Sequence, residues 1–192
     1  GIMGPFSFVP NMECNHVILH LSHRLLGSLT LDGKTLDFEG GAGYIEKDYG
    51  RSFPRHYVWI QASHFDQGEA CLVFSRARIP MLGTDFPGFF AYFTDFNWIR
   101  ARFATYNLSR MTAWAVDPST GTCRATLAGP AGRLSFEAAM TGGGTLRAPV
   151  DGLMDREIVE SIGARVTVTL TDRRGNVRYH GTSGEAGMEI SL

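Results

Sequence analysis

The chain has 192 residues, 44% of them hydrophobic, enough apolar material for one substantial core and a single domain over 1–192. Its formal net charge of −1, with 18 Lys and Arg against 19 Asp and Glu, leaves no basic surplus for phosphates and argues against nucleic acid as a partner. No apolar run approaches the ~18 residues of a membrane span, the opening Gly1-Ile2-Met3-Gly4-Pro5 lacks the regions of a signal peptide, and Cys14, Cys71 and Cys123 read as free thiols, which together predict a reducing, cytoplasmic setting.

In chain order, Cys14, His16 and His20 come first and would share a face of one strand. Their spacing matches no zinc signature, and a satisfied buried Cys or His is commoner, so no metal site is predicted. Next, 28–31 and 34–38 flank Asp32-Gly33, a pair that supplies the positive φ angles of a two-residue hairpin turn. The stretch from Gly41 to Pro54 then crowds Glu46, Lys47, Asp48 and Arg51 among glycines and aromatics. If it is extended, Tyr44, Glu46 and Asp48 lie on one face. Carboxylates so close repel, and apolar surroundings would raise the pKa of at least one, keeping a neutral proton donor near pH 7. Alternatively, Lys47 and Arg51 pair with them and staple the strand end to its neighbour.

The segment 57–65 reads as a strand with two unlike faces. Val58, Ile60, Ala62 and His64 form the packing side, and Tyr57, Trp59, Gln61, Ser63 and Phe65 form a side that mixes aromatics with amide and hydroxyl groups. That mixture suits a pocket lining, with apolar area for affinity and a few polar groups for orientation; the bland alternative is an ordinary solvent face. Further strands are expected at 70–79, 88–96, 98–105, 112–116, 123–127, 134–138, 165–171 and 177–181, separated by turns rich in Asp, Gly and Pro. Only 151–162 has a helical spacing, with Met154, Ile158 and Ile162 four apart and Asp151 as an N-cap. Sequential hairpins predict an all-β antiparallel meander, closed as a barrel or stacked as a sandwich to remove its edges. Asn107-Leu108-Ser109 matches a glycosylation sequon, read as chance without an export signal. Gly41-Ala42-Gly43 opens no phosphate loop, no serine nucleophile elbow is present, and no cofactor is predicted.

The run Gly43-Tyr44-Ile45-Glu46-Lys47-Asp48-Tyr49-Gly50-Arg51-Ser52-Phe53-Pro54, followed by Trp59-Ile60-Gln61-Ala62-Ser63-His64-Phe65, resembles the signature of the tocopherol cyclase family. Leu146-Arg147-Ala148-Pro149, Gly187-Met188-Glu189-Ile190 and the opening Gly4 to His16 resemble further family segments, so the likeness runs along nearly the whole chain. Tyr49 stands where the family usually has Trp, and Ser63 where it usually has Asn. The resemblance implies a lipocalin-like β-barrel, with 1–38 as the tail of an incomplete first barrel and a second barrel starting near Gly40. It also implies an isoprenoid-type cyclase, since the plant enzymes protonate a prenyl double bond and add a phenol oxygen to it.

An alkene is a poor base and needs a positioned, undissociated acid, for which Glu46 and Asp48 are the candidates. The cation that results needs aromatic faces and exclusion of water, for which Trp59 and Tyr44 are candidates. Gln61, Ser63 and Arg51 are candidate orienting groups for a hydrophobic small-molecule partner. Rival readings are a non-catalytic carrier of a hydrophobic ligand in the same barrel, a hydratase or other lyase acting on a polyene, and a structural β-domain whose interior is filled.

Overall fold

Alternation of apolar and polar residues along short, turn-bounded segments produces antiparallel strands throughout, most of them paired with their neighbours in sequence. The computed structural model describes residues 1–10, 12–81 and 84–192. After a short 3-10 turn at Gly4–Phe8 come β1 (Cys14–Arg24), β2 (Ser28–Leu31), β3 (Lys34–Asp37), β4 (Ala42–Gly50) and β5 (Tyr57–Ala62). They are followed by β6 (Cys71–Met81), β7 (Thr84–Thr94), β8 (Arg100–Ala104), β9 (Arg110–Asp117) and β10 (Thr122–Gly129). The chain ends with β11 (Gly132–Ala139), β12 (Gly144–Val150), β13 (Leu153–Thr171) and β14 (Val177–Ser191).

Ten of these strands form one sheet in the order β8-β7-β6-β5-β14-β13-β11-β10-β9, with β12 paired to β13 beside the path. The sheet curls so that β8 comes up to β10, but among the described residues no ladder joins β8 to β9. The expected closed barrel is therefore not formed by hydrogen bonds; the ring is left with a seam. Packing seals it instead. Alternate residues turn inward, as along β13, where Val166, Val168 and Leu170 are buried while Thr167 and Thr169 face out. Phe74, Phe93, Phe103, Leu72, Leu127, Leu134 and Met188 are all below 2% exposed and fill the interior. Each such side chain contributes roughly 1.5–3 kcal/mol by leaving water. These side chains occupy the interior of the curled sheet.

The helix expected over 151–162 is instead a hairpin and a strand. Asp151 and Gly152 have φ of 49° and 88°, and Val150 pairs with Leu153 across them. Asp151 is thus a turn residue of the same Asp-Gly type as Asp32-Gly33, where φ is 50° and 77°. The four-residue spacing misled because four is a multiple of the strand period as well as close to the helical one. Ile158 is buried, whereas Ile162 sits at a register irregularity between Ser161 and Ala164 and is 80% exposed.

Residues upstream of β5 stand apart from the ten-stranded sheet. β2 and β3 make the isolated hairpin expected at Asp32-Gly33. β1 pairs with β4 in a second two-stranded sheet, with Cys14 opposite Gly50 and His16 opposite Asp48. β4 therefore belongs with β1, and the large sheet begins only at Tyr57. At the junction Arg51 and Ser52 both donate backbone N–H groups to the Glu13 carbonyl. A Cβ on Gly50 would lie 2.0 Å from that oxygen, so only glycine permits the approach.

Candidate active site

An aromatic-walled pocket lies on the outer face of the curled sheet. Its floor is the outward face of β5, β6, β7 and β14, and its roof is the β1–β4 sheet with the N-terminal turn. Alternation on β5 sets this up: Val58, Ile60 and Ala62 point into the core, so Tyr57 and Trp59 must point out. Aromatic walls come from Phe53, Tyr57, Trp59, Phe89, Phe90 and Tyr106. Against them stand four carboxyl groups, Glu13, Glu46, Asp48 and Glu189.

Strand β4 is extended as the sequence anticipated, and its alternate residues form a connected group. Tyr44 Oη donates to Glu46 Oε2 at 2.6 Å, and Trp59 Nε1 donates to the same oxygen at 3.3 Å. His16, opposite Asp48 in the ladder, holds Nδ1 2.7 Å from Asp48 Oδ1. Its Nε2 lies 3.3 Å from Glu46 Oε2, but not in hydrogen-bonding alignment, so this buried nitrogen has no directed partner. The imidazole stacks on Phe90 with centroids 5.2 Å apart. On β14, Glu189 lies opposite Trp59 of β5 and Glu160 of β13, and Tyr57 Oη donates to its Oε2 in a short bond. Trp59 is seated against β14 because Gly187 has no side chain: a Cβ there would lie 2.8 Å from Cζ3 of the indole.

Apolar burial dominates the ionisation of these groups. It pushes Glu189 up to about 7; Tyr57 opposes the shift by donating to the carboxylate, and the charges of Glu160, Glu46 and Asp48 reinforce it. Glu46 is raised by burial too, against the pull of His16, Tyr44 and Trp59. For His16, burial favours the neutral ring, but the Asp48 bond and the charges of Asp48, Glu46 and Glu189 outweigh it, and the net shift is upward. Burial, helped by Asp48, drives Cys14 up to about 12, so its thiol stays protonated.

The remaining sequence candidates are dispersed. Arg51 is exposed and pairs at 3.3 Å with Asp151, and Lys47 lies over the Tyr49 ring at 5.3 Å, so neither staples Glu46 or Asp48; the basic side chain between those carboxyl groups is His16. Gln61 and Ser63 bond each other at 2.9 Å, farther along β5, and are not part of the pocket wall. Tyr44 acts on the pocket only through Glu46. His20 is exposed and leans towards His23 at 5.8 Å, because register shifts on either side of it turn it away from Cys14 and His16. His16, Glu46 and Asp48 do bring donor atoms within 4.8 Å of one another. The ring presents Nδ1 to Asp48 and Nε2 to the Glu46 side, so the imidazole lies between the two carboxyl groups. The residue that sequence reasoning missed as a functional group is Glu189, whose signal is an acid set between the apolar Met188 and Ile190.

The family model described as Tocopherol cyclase-like matches residues 2–192. Among curated proteins, none matches the sequence. Among solved structures, kievitone hydratase from Nectria haematococca is similar, with 15% identity and a TM-score of 0.51 over 93% of this chain. The chain spans 53% of that protein's length, and the likeness is one of fold.

Proposed function

The chain belongs to the tocopherol cyclase-like family, and from that membership we propose that it binds a neutral, hydrophobic, prenylated small molecule in the outer pocket and catalyses acid-assisted addition of oxygen to its double bond. The observation that carries the reading is the placement of Glu46 and its fellow carboxyl groups on an aromatic wall, where burial favours the protonated acid. Glu46 is a proton-transferring group. Asp48 acts at one remove, holding the His16 ring in place. Trp59, Phe90 and Tyr57 present π faces to the cationic carbon that protonation creates, and the apolar walls keep it from water. In the ring-closing form of the reaction the ligand's own phenol is the nucleophile.

A second reading is favoured by one finding: the structurally similar protein is named a hydratase. There the attacking oxygen is that of water, and the protonation step is the same. No helix among the described residues is long and apolar enough to cross a membrane. We place the activity in the cytoplasm.

The test is incubation of the protein with a prenylated hydroquinone and analysis of the product by mass and retention. Ring closure gives an isomer of unchanged mass, hydration adds one water, and a carrier returns the ligand intact. Glu46→Gln should lower turnover about 10²–10⁴-fold, the range that one general acid or base contributes. Turnover by Glu46→Gln equal to wild type would remove Glu46 from the mechanism.

A further inference from the structure

We propose that Glu189, paired with Tyr57, is a second catalytic group of this site: it delivers the proton to the double bond, while Glu46 takes up the proton lost by the attacking oxygen. The inference rests on the proposed acid-assisted addition and divides its two proton transfers between two carboxyl groups.

Geometry separates the two. Glu189 and Glu46 approach Trp59 from different elements, Glu189 as its ladder neighbour on β14 and Glu46 as the acceptor of its indole N–H from β4. Both line the same pocket as the Trp59 indole, so a ligand resting on that ring has two carboxyl groups from different strands within its pocket. Their surroundings differ in kind. Glu46 Oε2 receives two donors, Tyr44 Oη and Trp59 Nε1, and lies beside the His16 ring; these contacts oppose the upward push of burial and suit the oxygen to taking up a proton. Glu189 receives one donor, Tyr57, at Oε2. Around it stand Glu160 on β13, Glu46 and Asp48 on β4 and His16 on β1, while the Arg156 guanidinium lies 5.9 Å from the Tyr57 ring centre. Three acids, against a single hydrogen-bond donor, make ionisation of Glu189 costly. Burial pushes it the same way, up to about 7.

The step balances. The O–H bond of Glu189 breaks as a C–H bond forms at the less substituted alkene carbon, and the π pair leaves a cation on the more substituted one. The phenol oxygen, or water, donates a lone pair to that cation, and its proton passes to the Glu46 carboxylate. The ligand ends neutral, isomerised or hydrated. Glu46 then releases a proton to solvent and Glu189 takes one up, which restores the starting state.

The experiment uses the full chain and a prenylated hydroquinone. Turnover is followed against pH for wild type, Glu189→Gln, Glu189→Asp and Tyr57→Phe, and carboxyl protonation is read by infrared titration. Glu189→Gln should lose about 10²–10⁴-fold in kcat with KM little changed, and Glu189→Asp should recover part of it. Wild type should lose activity as pH rises through about 7, and Tyr57→Phe should move that limb to higher pH, because it removes the donor that favours the carboxylate. A protonated-carboxyl band near neutral pH should be present in wild type and absent from Glu189→Gln. Wild-type turnover by a folded Glu189→Gln, an unmoved limb in Tyr57→Phe, or the same band in both proteins would overturn the assignment. An inert wild type would instead sink the addition reaction itself, and this inference with it.

Discussion

The contact between His16 and Asp48 joins the two strands that roof the pocket, so its removal tests how the roof is held. The pair is 2.7 Å long, and its side chains are 11% and 26% exposed, so solvent screens it only in part. A charge-assisted hydrogen bond in such a setting is worth about 1.5–3 kcal/mol. Asp48→Asn keeps the shape and removes the charge. For a chain of this size each kcal/mol moves Tm by roughly 2–4 °C, so the variant should melt roughly 3–12 °C below wild type. The pH dependence carries the sharper information. His16 has a folded-state pKa above its ordinary value, so the stability it contributes is fully present below the unfolded value of about 6.5 and fades as pH rises through the folded one. The gap between wild type and Asp48→Asn should therefore be widest in mild acid and narrow on the alkaline side. Thermal unfolding followed by tryptophan fluorescence across that range measures it. A gap that stays constant with pH, or widens in alkali, would show that no imidazolium–carboxylate pair is present.

Other expectations follow from the packing. Gly187→Ala places a methyl group 2.8 Å from the Trp59 indole and should cost about 1–3 kcal/mol while shifting the tryptophan emission; an unchanged spectrum and Tm would mean that the ring does not rest on β14. Phe74→Ala should cost about 3–5 kcal/mol yet leave ligand affinity unaltered, because the cavity it opens is inside the barrel and the pocket is outside; a calorimetric Kd that worsens in step with stability would contradict that separation. Cys14, Cys71 and Cys123 are each pushed up to about 12 by burial, so thiol reagents at pH 8 should label the folded chain slowly and the denatured chain fast.

Much of this architecture can be read from the sequence. All nine strands expected from periodicity overlap observed ones, and the inward turn of Val58, Ile60 and Ala62 follows from alternation alone. The strand expected over 57–65 stops at Ala62, and His64, at φ 58°, breaks the alternation so that it lies exposed and Phe65 enters the core. The Asp32-Gly33 hairpin could be placed because its turn chemistry is local. The same rule applied at Asp151-Gly152 would have replaced the helix by a hairpin. What could not be read locally is which strands pair. His16 meets Asp48 across 32 positions of sequence, and Tyr57 meets Glu189 across 132. Local charge density therefore named Lys47 and Arg51 as partners of the carboxylates, and the fold supplied His16 instead. Gln61 and Ser63 share a face with Trp59 as expected, but the pocket ends before it reaches them, and the extent of a cavity is set by the roof, not by the strand.

The roof itself has a kinetic consequence. β1 and β4 form a ladder with each other and, among the described residues, with no strand of the ten-stranded sheet, to which the Trp59 indole ties β4 by a side-chain bond to Glu46. Such a flap can open without breaking any ladder of the barrel, so its amides belong to a cooperative unit of lower opening energy than those of β5 or β14. On the proposed function, a ligand would enter by hinging of the flap at the Glu13–Arg51 junction while Phe74 and Phe93 stay packed. A bound molecule touching both layers acts as a latch, slowing hydrogen exchange in β1 and β4 by its own binding energy and leaving the barrel's slowest amides as they were.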